Sequence, residues 1–271
     1  MDASDAWESR QGQDATSPVT GAGGTRRPAK PDGAATIAIA IAIDGPAASG
    51  KSTIARAVAE RLGLLYLDTG AMYRAVTWLA LRRGIDPADE PAVTALARAA
   101  RFAFPDRGVA AHVNPPIVID DTDATDGVRD PLVDATVSVV AAYPGVREAL
   151  VREQRSIARA RPVAMVGRDI GTVVLPDAPL KVYLVASAEA RARRRHEERA
   201  ARGEETDYEE IYEAMARRDK LDSERAYSPL RPAPDALELD TTGLDIPAVV
   251  DRVLALARER LQLDGATGIE V

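Results

Sequence analysis

Ile43-Asp44-Gly45-Pro46-Ala47-Ala48-Ser49-Gly50-Lys51-Ser52-Thr53 follows an alternating run, Ile37-Ala38-Ile39-Ala40-Ile41-Ala42. From Gly45 to Ser52 it fits G-x-x-x-x-G-K-[ST], a glycine-rich turn that joins a strand to a helix and wraps its backbone N–H groups around phosphate oxygens. Both flanks supply the context the pattern needs: a predicted strand over residues 37–44 and a predicted helix over residues 51–62. In such a loop the Lys51 ammonium reaches the β- and γ-phosphates and the Ser52 hydroxyl ligates Mg²⁺. Gly45, Pro46, Ala47, Ala48, Ser49, Gly50 and Thr53 complete the cradle for a nucleoside triphosphate, helped by the dipole of the helix that follows. Lys51 is one of only four lysines, with Lys30, Lys181 and Lys220, in a chain whose basic residues are otherwise arginines.

Outward from this loop, short apolar runs alternate with helical segments. Core strands are predicted at residues 37–44, 64–68, 163–166, 181–186 and 237–240. Helices are predicted at 51–62, 71–83, 91–100, 130–142, 145–160, 188–202, 208–225 and 247–263. This alternation predicts an α/β fold with a five-stranded parallel sheet covered on both faces. Residues 101–125 break the pattern with short β segments and turns (Asp106-Arg107-Gly108, Asn114-Pro115-Pro116), which reads as a small inserted β region. Residues 1–33 are polar and rich in Gly, Asp, Ser and Pro, and read as a disordered extension. The apolar run after Arg26-Arg27 leads into the phosphate loop rather than a small-residue cleavage site, so it reads as a strand and not a signal peptide. No apolar run approaches the ~20 residues of a membrane span.

Composition narrows the function. A net charge of −7 argues against a nucleic-acid binder. The absence of cysteine excludes disulfides and thiolate metal sites and fits a reducing compartment. His112 and His196 are the only histidines, too few for a His-rich zinc site.

Further anion-binding candidates follow the other strands. Asp68-Thr69-Gly70-Ala71-Met72-Tyr73-Arg74 comes after the second strand, with Thr69 placed to cap the helix and Arg74 about one turn in. Gly167-Arg168-Asp169 follows the third, where ligands of open α/β sheets bind. After the fourth comes Arg191-Ala192-Arg193-Arg194-Arg195, readable as a phosphate clamp or as a solvated helix face. Arg218, Asp222 and Arg225 fall at i, i+4 and i+7 and share one predicted helical stripe. They suit phosphate and ribose hydroxyls, or simply one another as a salt-bridge ladder. No N-K-x-D segment of the kind that reads guanine is present, which weakens a regulatory GTPase. Small-acceptor kinases of the shikimate or dephospho-CoA type, and a nucleotide-dependent switch, stay open on these residues.

IDGPAASGKST, LDTGAMYR, SVVAAYPGVREAL, GRDIGTVVLPDA and RRDKLDSERAYSPL together resemble bacterial cytidylate kinases, from about residue 37 to 263. The resemblance implies an adenylate-kinase-like, three-layer P-loop domain over residues 34–265. Within it, a region of about 70–160 would bind the nucleoside monophosphate and carry the β insertion, and a short lid would span about 188–205. It implies transfer of the γ-phosphate of ATP, with Mg²⁺, to CMP or dCMP by a cytoplasmic monomer. By the same resemblance Thr69, Arg74, Arg168 and Arg225 hold CMP, chiefly its phosphate. Ser138, Arg147 and Asp169 meet the cytosine, and Arg218 and Asp222 the ribose. Arg191 and Arg195 serve the lid and join Lys51 as catalytic residues. The family often has Ser at the place of Thr69, Arg at that of Leu221 and Gly at that of Ala48. Its acceptor is already an anion, so catalysis reduces to aligning two polyanions and offsetting their repulsion.

Overall fold

The computed structural model describes residues 39–105, 116–225 and 227–262. The predicted extension at 1–33, the turn at Asp106-Arg107-Gly108 and most of the second predicted turn lie outside the described residues. In chain order the elements are β1 (Ala40–Asp44), α1 (Lys51–Leu62), β2 (Leu65–Asp68), α2 (Thr69–Arg82) and α3 (Glu90–Ala99). Three short strands follow: β3 (Phe102–Ala103), β4 (Val118–Ile119) and β5 (Thr122–Asp123). Then come α4 (Pro131–Val140), α5 (Pro144–Ala160), β6 (Val163–Gly167), β7 (Leu180–Val185), α6 (Ala188–Ala201), α7 (Tyr208–Glu224), β8 (Leu237–Asp240) and α8 (Ile246–Leu261).

Five strands form one parallel sheet in the order β2-β6-β1-β7-β8. Every residue of β1 is buried, which is why it reads as an unbroken apolar run. The strand still has two faces. Ala40 and Ala42 pack with Met72, Val76, Val146 and Leu150 of α2 and α5, whereas Ile41 and Ile43 pack with Ile54, Val58, Val250 and Leu254 of α1 and α8. Those two helical layers sandwich the sheet. The inserted strands form a separate antiparallel sheet, β3-β4-β5, as the turn-rich sequence predicts.

Two expectations need correction. Asp68, not Thr69, caps α2: its carboxylate accepts the Ala71 N–H at 3.3 Å. Thr69 opens the helix instead, and its hydroxyl donates to the Val166 carbonyl at 2.9 Å, tying β2 to β6. Arg225 does not share a helical stripe with Arg218 and Asp222. Helix α7 ends at Glu224, and Arg225 has extended backbone. A π turn over Ile170–Val174, absent from the sequence reading, follows Asp169.

Candidate active site

β1 lies between β6 and β7, so the loop leaving it opens over the sheet's carboxyl edge, where the strand order reverses around β1. Gly45 has φ +146, and a Cβ there would run into the Leu184 carbonyl of the neighbouring strand. Gly50 precedes α1 at φ +88 with no side-chain cap, so the first-turn N–H groups stay available to an anion. Ala48, where the family often has glycine, adopts the left-handed conformation with φ +56. Lys51 is buried, and its ammonium donates to the Pro46 carbonyl at 2.5 Å and to Ser49 Oγ at 3.4 Å. Burial first, and the Arg168 charge second, lower its pKa to about 7.

Asp44 closes β1 beneath this loop. Its two carboxylate oxygens accept the Ile170 and Gly171 N–H groups at 2.8 and 2.7 Å. Burial raises its pKa to about 6, against those hydrogen bonds, with Asp169 adding to the rise and Lys51 opposing it. The sequence reading did not single out Asp44. Its one signal is a carboxylate ending a strand that is otherwise aliphatic.

The acceptor-side candidates gather around the ends of β2 and β6. Arg74 turns back to Asp68 at 3.4 Å. Arg168 Nε bonds Asp222, whose other oxygen lies 3.7 Å from Arg225. Arg225 Nε donates to the Ser228 carbonyl at 2.5 Å, while its Nη2 is buried with no hydrogen-bond partner among the described residues. Burial first, and then a like charge, lowers the pKa of Arg218 and of Arg225; that charge is Arg168 for the former and Arg147 for the latter. A crowd of guanidiniums held partly out of water is poised for an anion. Deeper in, Arg147 of α5 pairs with Asp169, both side chains less than a tenth exposed. Arg147 also donates to the Ala141 carbonyl at 3.2 Å and lies over the Tyr73 ring.

The remaining candidates are placed differently. Ser138 is exposed on α4, and no hydrogen bond joins it to Arg147 or Asp169 among the described residues. Arg191 is buried at the start of α6, bonded to the Ala186 and Ala47 carbonyls and paired with Asp219 at 2.6 Å. Arg195, one turn on, is a third exposed and lies 3.7 Å from Asp134 of α4 and 3.4 Å from Glu198. Arg155 was also missed: from α5 it donates to the Val174 and Val173 carbonyls at 2.9 and 2.6 Å, holding the π turn behind Asp169.

The cytidylate kinase family profile matches residues 41–259. A cytidylate kinase of Geobacillus kaustophilus is 50% identical over 226 residues, covering 82% of this chain and 98% of the relative. One from Bacillus licheniformis is 47% identical over 224 residues, covering 83% and 98%.

Proposed function

Because the chain belongs to the cytidylate kinase family, we propose that this site moves the γ-phosphate of ATP onto CMP, giving ADP and CDP, with dCMP as a second acceptor. The observation that carries the reading is a juxtaposition at one sheet edge: the phosphate loop with Lys51, the guanidiniums of Arg74, Arg168, Arg218 and Arg225, and the buried Arg147–Asp169 pair. The enzyme is an ATP-dependent phosphotransferase.

An oxygen of the CMP phosphate attacks the γ-phosphorus as the bond to the ADP oxygen breaks. That oxygen is already anionic, so no strong base is needed. Lys51 neutralises charge on the donor phosphates, and the arginines hold the acceptor phosphate in line. Binding ATP favours the Lys51 ammonium, because the phosphates offset the desolvation that lowers its pKa. Cytosine presents an amino donor at N4 and acceptors at N3 and O2. The Asp169 carboxylate accepts from the first and Arg147 donates to the others. Thr69 secures the end of β2 beside the acceptor, Ser138 lies toward the base, and Arg218 and Asp222 meet the ribose.

The residues fit a magnesium ion carried in with the nucleotide. Ser52 offers a hard hydroxyl oxygen at the first turn of α1, and Mg²⁺ takes few protein ligands when phosphates supply the rest. Such an ion would offset β- and γ-phosphate charge. The domain reading is retained as part of the proposal: a kinase domain over 34–265, an acceptor region of about 70–160 and a lid of about 188–205. A cytoplasmic monomer acting on small molecules, with no nucleic-acid or membrane partner, completes it. The cysteine-free composition supports a reducing compartment. No described helix is long and apolar enough to cross a membrane.

The test is ADP release from ATP with CMP, dCMP, UMP, AMP and shikimate as acceptors. Turnover confined to CMP and dCMP is expected. Turnover with shikimate, or ATP hydrolysis indifferent to every acceptor, would overturn the reading.

A further inference from the structure

Two carbonyls of the phosphate loop are held from outside the cradle. Ala47's accepts from Arg191 at 3.3 Å, and Ser49's accepts from the Thr241 hydroxyl at 3.3 Å. Thr241 directly follows β8 and is 2% exposed. Its N–H donates to the Val185 carbonyl at 2.8 Å, so the backbone there is fixed to the end of β7. Arg194 of α6 grips the same residue twice, with Nη1 on the hydroxyl at 3.1 Å and Nη2 on the carbonyl at 2.5 Å. A hydroxyl has one proton to give. With Arg194 donating to its oxygen, that proton is left for a carbonyl, either Ser49's or Val185's, the latter at 3.1 Å. In a trans peptide the C=O and the following N–H point opposite ways. Drawing the Ser49 carbonyl toward Thr241 therefore turns the Gly50 N–H away from it. Gly50 is the φ +88 residue from which α1 and its phosphate-binding amides begin.

We propose that Arg194 and Thr241 are positioning residues for the phosphoryl donor, a strut from α6 through the segment after β8 that orients the Ser49–Gly50 peptide for the nucleotide's phosphates. The inference rests on the reading that this loop holds ATP. Neither residue touches a reacting atom; each acts through the loop. The pair joins segments far apart in sequence: 47 residues separate Arg194 from Thr241 and 192 separate Thr241 from Ser49.

The test separates donor from acceptor affinity. Thr241→Val keeps the side-chain shape and removes the hydroxyl. One lost net hydrogen bond, about 1–1.5 kcal/mol, corresponds to a roughly five- to tenfold rise in the KM for ATP. The KM for CMP should stay within about twofold, because the contacts proposed for CMP lie at the ends of β2 and β6. Thr241→Ser should restore the wild-type ATP KM. Arg194→Met, at a partly exposed position, should weaken ATP by a similar factor. The double variant should be no worse than Thr241→Val alone, since the two act in series. Calorimetric titration with ATP alone gives the same answer without turnover. The strut is overturned if both KM values rise together, if neither does, or if Ser fails to rescue. Should Thr241→Val not fold, Arg194→Met with an unchanged ATP KM overturns it alone. Lys51→Ala distinguishes the underlying reading: if it leaves ATP turnover intact, the loop assignment fails, whatever Thr241 does.

Discussion

Replacing Asp169 with asparagine tests how the base is read. Asp169 is buried against Arg147, and no described residue donates to its second oxygen. The amide keeps the shape and one accepting oxygen but loses the charge. Deleting one partner of a buried pair costs about 3–5 kcal/mol, and an isosteric amide should cost less, about 2–3. The folded fraction should survive, with Tm lowered by several degrees. A charge-assisted hydrogen bond from the cytosine amino group is worth roughly 1.5–3 kcal/mol, so kcat/KM for CMP should fall roughly 10- to 150-fold. UMP presents an acceptor where cytosine presents that amino group, and the amide nitrogen that the variant introduces can donate to it. A preference near ~10⁴ in the wild type should therefore narrow to roughly 10²–10³, mostly through CMP. Neutralising Asp169 also removes one of the charges that raise Asp44, so the acid limb of the pH profile should move to lower pH. The assay is coupled ADP release with both acceptors and both proteins. A folded Asp169→Asn protein with an unchanged CMP/UMP ratio would show that Asp169 does not touch the base.

Lys51→Ala should lower kcat by well over tenfold, a loss exceeding ~1.4 kcal/mol, with circular dichroism unchanged. Ala48→Gly should stabilise the protein: relief of a left-handed alanine is worth about 1–2 kcal/mol, offset by about 0.4–1 of unfolded-chain entropy. A drop in Tm would show that Ala48 is not strained. The Asp44 carboxyl titrates near pH 6 in the fold, raised from 3.8. Its contribution to stability is therefore fully present below about pH 3.8 and is lost as pH rises through 6, the sign for a raised acid. Activity should run the other way, because protonation removes one acceptor from the Ile170 and Gly171 amides. kcat/KM for CMP should fall below pH 6, and Asp44→Asn should flatten that limb.

The parts legible in the sequence are those built from neighbours. The phosphate loop is contiguous, and β1, β6 and β7 announce themselves because central strands of a parallel sheet are apolar on both faces. What sequence missed depends on pairing across the chain. Asp44 meets the amides of residues 170 and 171, more than a hundred positions away, and Arg155 meets carbonyls 18 and 19 residues on. The cap of α2 fails for the same reason at smaller scale. Asp68 and Thr69 are both good capping residues, and a carbonyl on β6 decides between them by engaging the threonine hydroxyl. Arg225 reaches Asp222 although its backbone has left the helix, a contact that helical spacing describes only by coincidence.

Asp222 stands between Arg168 and Arg225, bonding one and facing the other. It is an internal tenant of the place proposed for an incoming phosphate. A guest must outcompete it, and a dianionic phosphate can do so where a neutral nucleoside cannot. On that reading cytidine, carrying the right base but no phosphate, would leave the tenant in possession. On the proposed reading the carboxylate would work as an admission test on charge, and in the meantime it spares the protein a huddle of unneutralised arginines.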